Sequence, residues 1–189
     1  MSLRQEIRLS GSGGQGLILV GKVLAEAAAI YDGLNATQSQ SYGPEARGGA
    51  SRSEVIISDG DIEYPKAENL DILLALTQEA CDKYHKDLKE GGILIVDEKM
   101  VKSLPDENYK IVQLPIIKSA TERLGKFIVA NIVSLGIIVK ISEIVSEEAV
   151  RHAIKARVPK GTEELNLKAF EEGMALAEEW MKTHSTPVK

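Results

Sequence analysis

The chain of 189 residues has only one cysteine, and this scarcity excludes two kinds of chemistry. With Cys81 alone, no disulfide can form within the chain. An iron–sulfur cluster takes four thiolates, which this chain cannot supply by itself. The histidines, at positions 85, 152 and 184, are scattered without the spacing of a metal site. We therefore expect no metal in this chain, and any electron transfer would need other subunits.

A basic excess and a long apolar run are also absent. The 28 acidic and 23 basic residues give a formal net charge of -5, which argues against binding along a nucleic-acid backbone. The start, MSLRQEIRLS, has no apolar run long enough for a signal peptide. The longest apolar segment, residues 127–139, is too short to span a bilayer. We expect a cytoplasmic protein that binds neither nucleic acid nor membrane, with any anion site confined to a local feature.

Short apolar runs alternate with helical patterns along the chain, which is typical of an α/β domain. Residues 6–10 predict a first strand, a glycine loop follows, and residues 17–31 predict an alanine-rich helix with Gly33 as its C-cap. Residues 71–77 and 93–97 are continuous apolar runs on either side of a helix near 78–89, so they predict a βαβ unit. Other strands are predicted at 34–39, 53–58, 62–64 and 110–114.

Turn and cap signals complete the predicted architecture. Asp59-Gly60 is the strongest hairpin signal and predicts one antiparallel pair between 53–58 and 62–64. The chain reads as helices from Ser119 onward, and the helix at 146–156 begins with Ser146 as N-cap. We predict a single domain over 1–189, with three α/β/α layers, a mostly parallel sheet, one hairpin and a helical C-terminal portion.

The motif GSGGQG at residues 11–16 fits the spacing of a dinucleotide fingerprint. That fingerprint also needs an acidic residue about twenty positions on, which binds the ribose. Asp32 has the spacing, but it lies at the end of the predicted helix, and the second strand runs into uncharged residues. Three interpretations stay open: a nicotinamide or flavin site, a structural turn, or a site for another phosphate or anion. The candidate binding residues are Gly13, Gly14, Gln15 and Gly16.

A second loop, SYGPEARGG at residues 41–49, is rich in glycine and places an arginine at the predicted ligand-binding edge. Arg47 could present its guanidinium to a carboxylate or phosphate, or it could pair with Glu45 inside the loop. Both interpretations stay open at this point. The candidate contacts with substrate or partner are Tyr42, Gly43, Glu45, Arg47, Gly48 and Gly49.

Two apolar stretches could serve either the core or a partner chain. Residues 127–139 predict a helix that is apolar nearly all round, which is normally buried. Met174, Leu176, Trp180 and Met181 form a stripe on the last helix. Packing within the domain and docking of partner chains are the two interpretations of each. Cys81, inside a predicted helix, is expected to be buried and unreactive.

The two loops together resemble the gamma subunit of the 2-oxoacid:ferredoxin (or flavodoxin) oxidoreductases. The resemblance rests on GSGGQG at 11–16 and SQSYGPEARGG at 39–49, and extends to NIVSLG at 131–136 and to Asn166 and Gly173. The second loop most resembles the separate gamma chains of the 2-oxoglutarate enzymes. Asn131 joins the candidate contacts on the same ground.

The resemblance implies a part of a larger enzyme that performs no redox step and supplies no catalytic residue itself. Alpha and beta chains would hold thiamine diphosphate, iron–sulfur clusters would pass electrons to ferredoxin or flavodoxin, and coenzyme A would take the acyl group; a delta chain is a further expected partner. The gamma chain would pack against the catalytic pair and shape the substrate or coenzyme A side of the site. The alternative is a self-sufficient dinucleotide-binding reductase that uses the GSGGQG loop.

Overall fold

A single six-stranded sheet organises the protein, whose computed structural model describes residues 3–41 and 50–184. The strand order is β2-β3-β1-β4-β5-β6. The pairs β1–β4, β4–β5 and β5–β6 are parallel, and β3 lies antiparallel between β1 and β2. The strands are β1 (Arg4–Ser12), β2 (Asn35–Ser41), β3 (Ala50–Ser58), β4 (Leu70–Ala75), β5 (Leu88–Asp97) and β6 (Lys110–Leu114).

Helices cover both faces of this sheet, because alternate residues of each central strand point to opposite sides. Ile72 and Leu74 belong to the core cluster shared with α1, α4, α5 and α6, whereas Leu73 and Ala75 belong to the cluster shared with α2. The predicted three-layer fold, its mostly parallel sheet and its helical C-terminal portion are thus confirmed. The helices are α1 (Leu17–Glu26), α2 (Gln78–Tyr84), α3 (Ile116–Arg123), α4 (Ala130–Ser142), α5 (Glu147–Arg157) and α6 (Glu163–His184).

The predicted hairpin at Asp59-Gly60 is wrong. Residues 62–64 form no strand, and β3 already has β1 on one side and β2 on the other. A strand with both edges paired cannot take a third neighbour, so the sheet contains two antiparallel pairs rather than the one predicted. At the turn itself, the Asp59 N–H donates to the Leu3 carbonyl (3.1 Å) and the Gly60 N–H to Ser58 Oγ (3.1 Å).

The first helix is also less regular than its alanine-rich sequence predicts. The α-helical geometry ends at Glu26, and Ala27–Tyr31 form a π-helical turn in which the Asp32 N–H donates to the Ala27 carbonyl at 3.0 Å. Gly33 follows with φ 68°, the left-handed conformation that the C-cap prediction requires. Asp32 then accepts hydrogen bonds from the backbone N–H (2.6 Å) and the hydroxyl (2.7 Å) of Ser146.

The apolar stretches pack mainly within the domain. Residues 130–139 of α4 are all buried, and the helix crosses α6 where Gly136 faces Gly173. A Cβ atom added at Gly173 would lie 1.9 Å from a backbone carbonyl oxygen of α4, so this close crossing requires glycine. Met174 and Leu176 are buried and Trp180 is partly buried. No helix in the described part of the chain has the length and apolar character needed to cross a membrane.

Candidate functional site

The glycine loop between β1 and α1, residues 13–16, lies at the carboxyl edge of the parallel strands. The helix after β1 packs on one face of the sheet, and the helix after the neighbouring β4 packs on the other. Two connections that leave neighbouring strands toward opposite faces open a crevice at that edge, where open α/β sheets bind their ligands. The topology therefore makes this loop the candidate site.

Left-handed backbone and an internal hydrogen bond define the shape of the loop. Gly14 (φ 83°) and Gly16 (φ 73°) adopt conformations that side chains rarely tolerate. The Ser12 N–H donates to Gln15 Oε1 at 2.8 Å, so the side-chain carbonyl of Gln15 holds the loop closed. Of the four predicted binding residues, Gln15 thus has a structural task that its sequence position did not reveal.

Asn131, predicted from a segment 115 residues away, touches the same loop. Its Nδ2 donates to the Gly16 carbonyl at 3.1 Å, and its Oδ1 accepts from the Ile132 N–H at 2.8 Å. The side chain lies so close that a Cβ added at Gly16 would be 2.5 Å from Nδ2. With Asn131 only 4% exposed, its amide fastens the glycine loop to the start of α4.

Several backbone N–H groups of the loop have no acceptor within the part of the chain that the structure describes. Among the described residues we find no hydrogen-bond acceptor for the N–H of Gly13, Gly14 or Gly16. Gly13 and Gly14 are exposed, and α1 begins with neither a side-chain cap nor an acidic residue in its first turn. The positive end of a helix dipole and free N–H donors favour an anion. This geometry agrees with the interpretation of the motif as a site for a phosphate or another anion.

The dinucleotide interpretation needs a ribose-binding carboxylate, for which Asp32 was the candidate. Both carboxylate oxygens of Asp32 accept from Ser146, at the opposite end of α1 from the glycine loop. Asp32 is therefore part of the contact between the end of α1 and the start of α5. The ribose-binding carboxylate that a dinucleotide fold requires is not supplied at this position.

The second loop falls largely outside the described residues, which include none of Tyr42, Gly43, Glu45, Arg47, Gly48 and Gly49. Its flanking residues are described. Ser41 ends β2 opposite Arg52, and Ala50 begins β3 opposite Ser12, immediately before the glycine loop. Both attachment points thus lie at the same sheet edge as residues 13–16.

An open groove lies elsewhere in the described part of the chain. It has a volume of about 460 Å³, and its ionisable lining residues are Asp32, Glu143, Glu147 and Lys140. Three of these four side chains are carboxylates and the two Asp32 oxygens are already engaged, so the groove does not suit an anionic substrate. The glycine loop is the better candidate because of its N–H donors.

Other reactive groups are few in the described residues. Cys81 is buried, as predicted, and desolvation, with a smaller contribution from the Asp82 carboxylate, raises the pKa of its thiol from 9.0 to about 11. A thiol of this pKa is almost wholly protonated near neutral pH and is a poor nucleophile. Within the described ranges no group of His, Cys, Asp and Glu side chains could hold a metal ion.

The fold and the loop together define an open α/β domain with a glycine loop at its topological switch point. The chain belongs to the pyruvate ferredoxin/flavodoxin oxidoreductase family, whose family model matches residues 6–176. The resemblance to gamma subunits of 2-oxoacid:ferredoxin oxidoreductases, above all those of the 2-oxoglutarate enzymes, is thereby confirmed. The chain is a subunit of a multi-subunit oxidoreductase.

Individual relatives agree with this family membership. The chain is 51% identical to the 2-oxoglutarate synthase subunit KorC of Methanocaldococcus jannaschii, over 95% of this chain and 97% of the relative. It matches the crystal structure of a keto/oxoacid ferredoxin oxidoreductase gamma subunit from Geobacter sulfurreducens with 56% identity and a TM-score of 0.87, over 94% and 98% of the two chains. A 2-oxoglutarate:ferredoxin oxidoreductase from Magnetococcus marinus, 24% identical, supports the fold alone with a TM-score of 0.83, over 93% of this chain and 31% of that one.

Proposed function

We propose that this chain is the gamma subunit of a 2-oxoglutarate:ferredoxin oxidoreductase, which decarboxylates the oxoacid oxidatively to an acyl-CoA. The observation that carries the proposal is the 51% identity with a 2-oxoglutarate synthase subunit over nearly the whole of both chains. A stand-alone dinucleotide-binding reductase finds no support, because Asp32 is engaged at the far end of α1.

In this proposal the gamma chain performs no redox step. Thiamine diphosphate and iron–sulfur clusters belong to alpha, beta and delta chains, and ferredoxin or flavodoxin takes the electrons from the assembled complex in the cytoplasm. The single thiol supports this division, since Cys81 is buried and its pKa is raised. One thiolate cannot hold a cluster that needs four.

Purification from the native cell tests this assignment. We expect the chain to copurify with the other subunits, and the complex to reduce ferredoxin with 2-oxoglutarate and coenzyme A. The isolated chain should show no absorbance above the protein band and no turnover. Flavin or cluster bands in the pure chain, or oxoacid oxidation by this chain alone, would contradict the proposal.

We further propose that the glycine loop binds a phosphate of coenzyme A. The support is the set of N–H groups at Gly13, Gly14 and Gly16 that have no acceptor among residues 3–41 and 50–184, together with the first turn of α1, which lacks acidic residues. The relative from Magnetococcus marinus is described with 2-oxoglutarate, coenzyme A and succinyl-CoA bound. Asn131 would act as a positioning residue in this site, since it is buried and bonded to the loop.

A matched pair of glycine variants tests the phosphate site. Gly14 (φ 83°) and Gly91 (φ 72°) are both left-handed, and a Cβ at either would meet nothing within 4 Å. Each change to Ala therefore costs a similar backbone strain of about 1–2 kcal/mol. Alanine keeps the backbone N–H, but relief of the strain at φ 83° would turn this donor away from the phosphate. In the assembled complex, Gly14→Ala should therefore raise the KM for coenzyme A by about tenfold, the size expected when one charged hydrogen bond is lost, while Gly91→Ala should leave it unchanged. Equal KM values for the two variants would refute the site.

A further inference from the structure

The 3-10 turn Phe127–Val129, just before α4, carries two large apolar side chains that the domain leaves in water. Phe127 is 49% exposed and Ile128 is 54% exposed, whereas residues 130–139 of α4 are all buried. The sequence did not predict this difference, because the two residues begin an apolar run that predicts a buried helix throughout. Contiguous exposed apolar surface marks interaction sites, unlike exposed apolar side chains that are scattered singly.

Chain connectivity places these side chains near the glycine loop. Phe127 precedes Asn131 by four residues, and Asn131 Nδ2 donates to the Gly16 carbonyl at 3.1 Å. The short turn that carries Phe127 and Ile128 is therefore held within a few residues of the loop. We call the surface formed by exposed Gly13, Gly14, Phe127 and Ile128 the loop corner.

Positive charge borders the loop corner at two places. Lys126, next to Phe127, is exposed, and we find no ion pair for it among the described residues. The first turn of α1 contains no acidic residue, whereas α2, α5 and α6 all carry glutamates in their first turns. The first amides of α4 contribute less, because the Ala130 N–H donates to the Phe127 carbonyl and the Ile132 N–H to Asn131 Oδ1. Lys126 and the N-terminus of α1 attract carboxylates.

We propose that the loop corner is the docking surface for a catalytic subunit of the same oxidoreductase complex. This partner presents an apolar recess for Phe127 and Ile128, bordered by carboxylates that complement Lys126 and the N-terminus of α1. A second copy of this chain fits less well, since two-fold pairing at this surface would bring two copies of Lys126 together, and like charges at an interface are costly. The inference rests on the proposed function. It also places the glycine loop at a subunit boundary, so that its ligand contacts both chains.

A matched pair of isoleucine variants tests the surface. Ile128 is 54% exposed at the loop corner, and Ile30 is 69% exposed in the π-helical turn at the opposite end of α1. Each is changed to Ser and the chain is expressed with the other subunits of the complex. Ile128→Ser should raise the Kd for incorporation by about tenfold or more, as for an interface residue that contributes over 1 kcal/mol. Ile30→Ser should assemble like the native chain.

Lys126 provides an independent test that does not alter packing. Lys126→Glu should weaken assembly, and Lys126→Arg should preserve it, because only the first reverses the charge. Unchanged melting temperatures of the isolated variants would show that folding is intact.

The outcomes separate this inference from the proposed function. If the native chain assembles and Ile128→Ser and Lys126→Glu assemble equally well, the loop corner is not the docking surface, although the subunit assignment stands. Equal losses for Ile30→Ser and Ile128→Ser would also overturn the inference. A native chain that forms a dimer abolished by Ile128→Ser would assign the surface to a second copy instead. Failure of the native chain to join any complex would remove the proposed function itself.

Discussion

The contact between Gly16 and Asn131 predicts an unusual pattern of mutational energies. Gly16→Ala places a methyl group in a left-handed conformation, which costs about 1–2 kcal/mol. The same methyl would lie 2.5 Å from Asn131 Nδ2, so the amide must move and its hydrogen bond to Gly16 must break. The loss of that buried bond adds about 1–3 kcal/mol. Together the two effects give a destabilisation of about 2–5 kcal/mol.

Asn131→Ala alone leaves the Ile132 N–H and the Gly16 carbonyl without their amide partner, again at about 1–3 kcal/mol. In the double variant the amide is already gone, so the new methyl meets free space and only the backbone strain is added. The double variant should therefore be about 1–3 kcal/mol more stable than the sum of the single changes predicts.

Urea denaturation of the four proteins in this cycle measures the coupling. Gly14→Ala is the control, since it has the same left-handed strain and nothing within 4 Å, and its effect should add to that of Asn131→Ala. If Gly16→Ala and Asn131→Ala also add to within about 0.5 kcal/mol, the side chain does not fasten the loop in solution.

Three further predictions concern the helix crossing, the thiol and the second loop. Gly173→Ala should lower the unfolding free energy by more than about 2 kcal/mol, seen as a fall in melting temperature of at least about 4 °C, because α4 and α6 must separate; an unchanged melting temperature would contradict the close crossing. Burial raises the pKa of Cys81 from 9.0 to about 11, so the folded state favours the neutral thiol. The stability of the native chain relative to Cys81→Ala should therefore fall as the pH rises from about 9 to 11. A stability difference in urea denaturation that does not change with pH would refute this prediction. Arg47→Ala should change the unfolding free energy by less than about 0.5 kcal/mol. It should lower the activity of the reconstituted complex by an amount equivalent to about 1.5 to 3 kcal/mol. Full activity would remove Arg47 from the site, and a large loss of stability would assign it to internal structure.

Sequence signals predicted the helices and strands well where their formation depends on neighbouring residues. The βαβ unit around α2 follows from continuous apolar runs, although α2 ends at Tyr84 and β5 begins at Leu88, within the predicted helix near 78–89. The bounds of β6 match the strand predicted at 110–114, and Ser146 caps α5 as its position indicates, accepting from the Ala149 N–H at 3.1 Å. The Asp59-Gly60 hairpin failed because a turn dipeptide reports only its own conformation. Whether a partner strand can pair there depends on β1, which occupies that edge of β3 from more than forty residues away.

The candidate site was likewise predictable only where its interactions are local in sequence. The glycine loop was visible as a motif, and its place before a helix explains why its N–H groups find no acceptor among the described residues. The bond from Asn131 to Gly16 joins residues 115 apart, and no periodicity or spacing predicts it. Only the family resemblance pointed to Asn131. The exposure of Phe127 was missed for a related reason, because hydropathy cannot distinguish the buried part of an apolar run from its exposed start.

The π-helical turn at Ala27–Tyr31 has a consequence for how the chain length could have changed in evolution. A π-helical turn is an α-helical turn with one residue inserted. Because the wider turn takes up the extra residue, deleting one residue there would restore the α-helix and leave the residues that follow close to their present orientation. The same deletion within the regular part of α1 would rotate all that follows by about 100° and shift it by about 1.5 Å, so that Asp32 would no longer face Ser146. The π-helical turn should therefore tolerate the loss of a single codon better than the rest of the first helix.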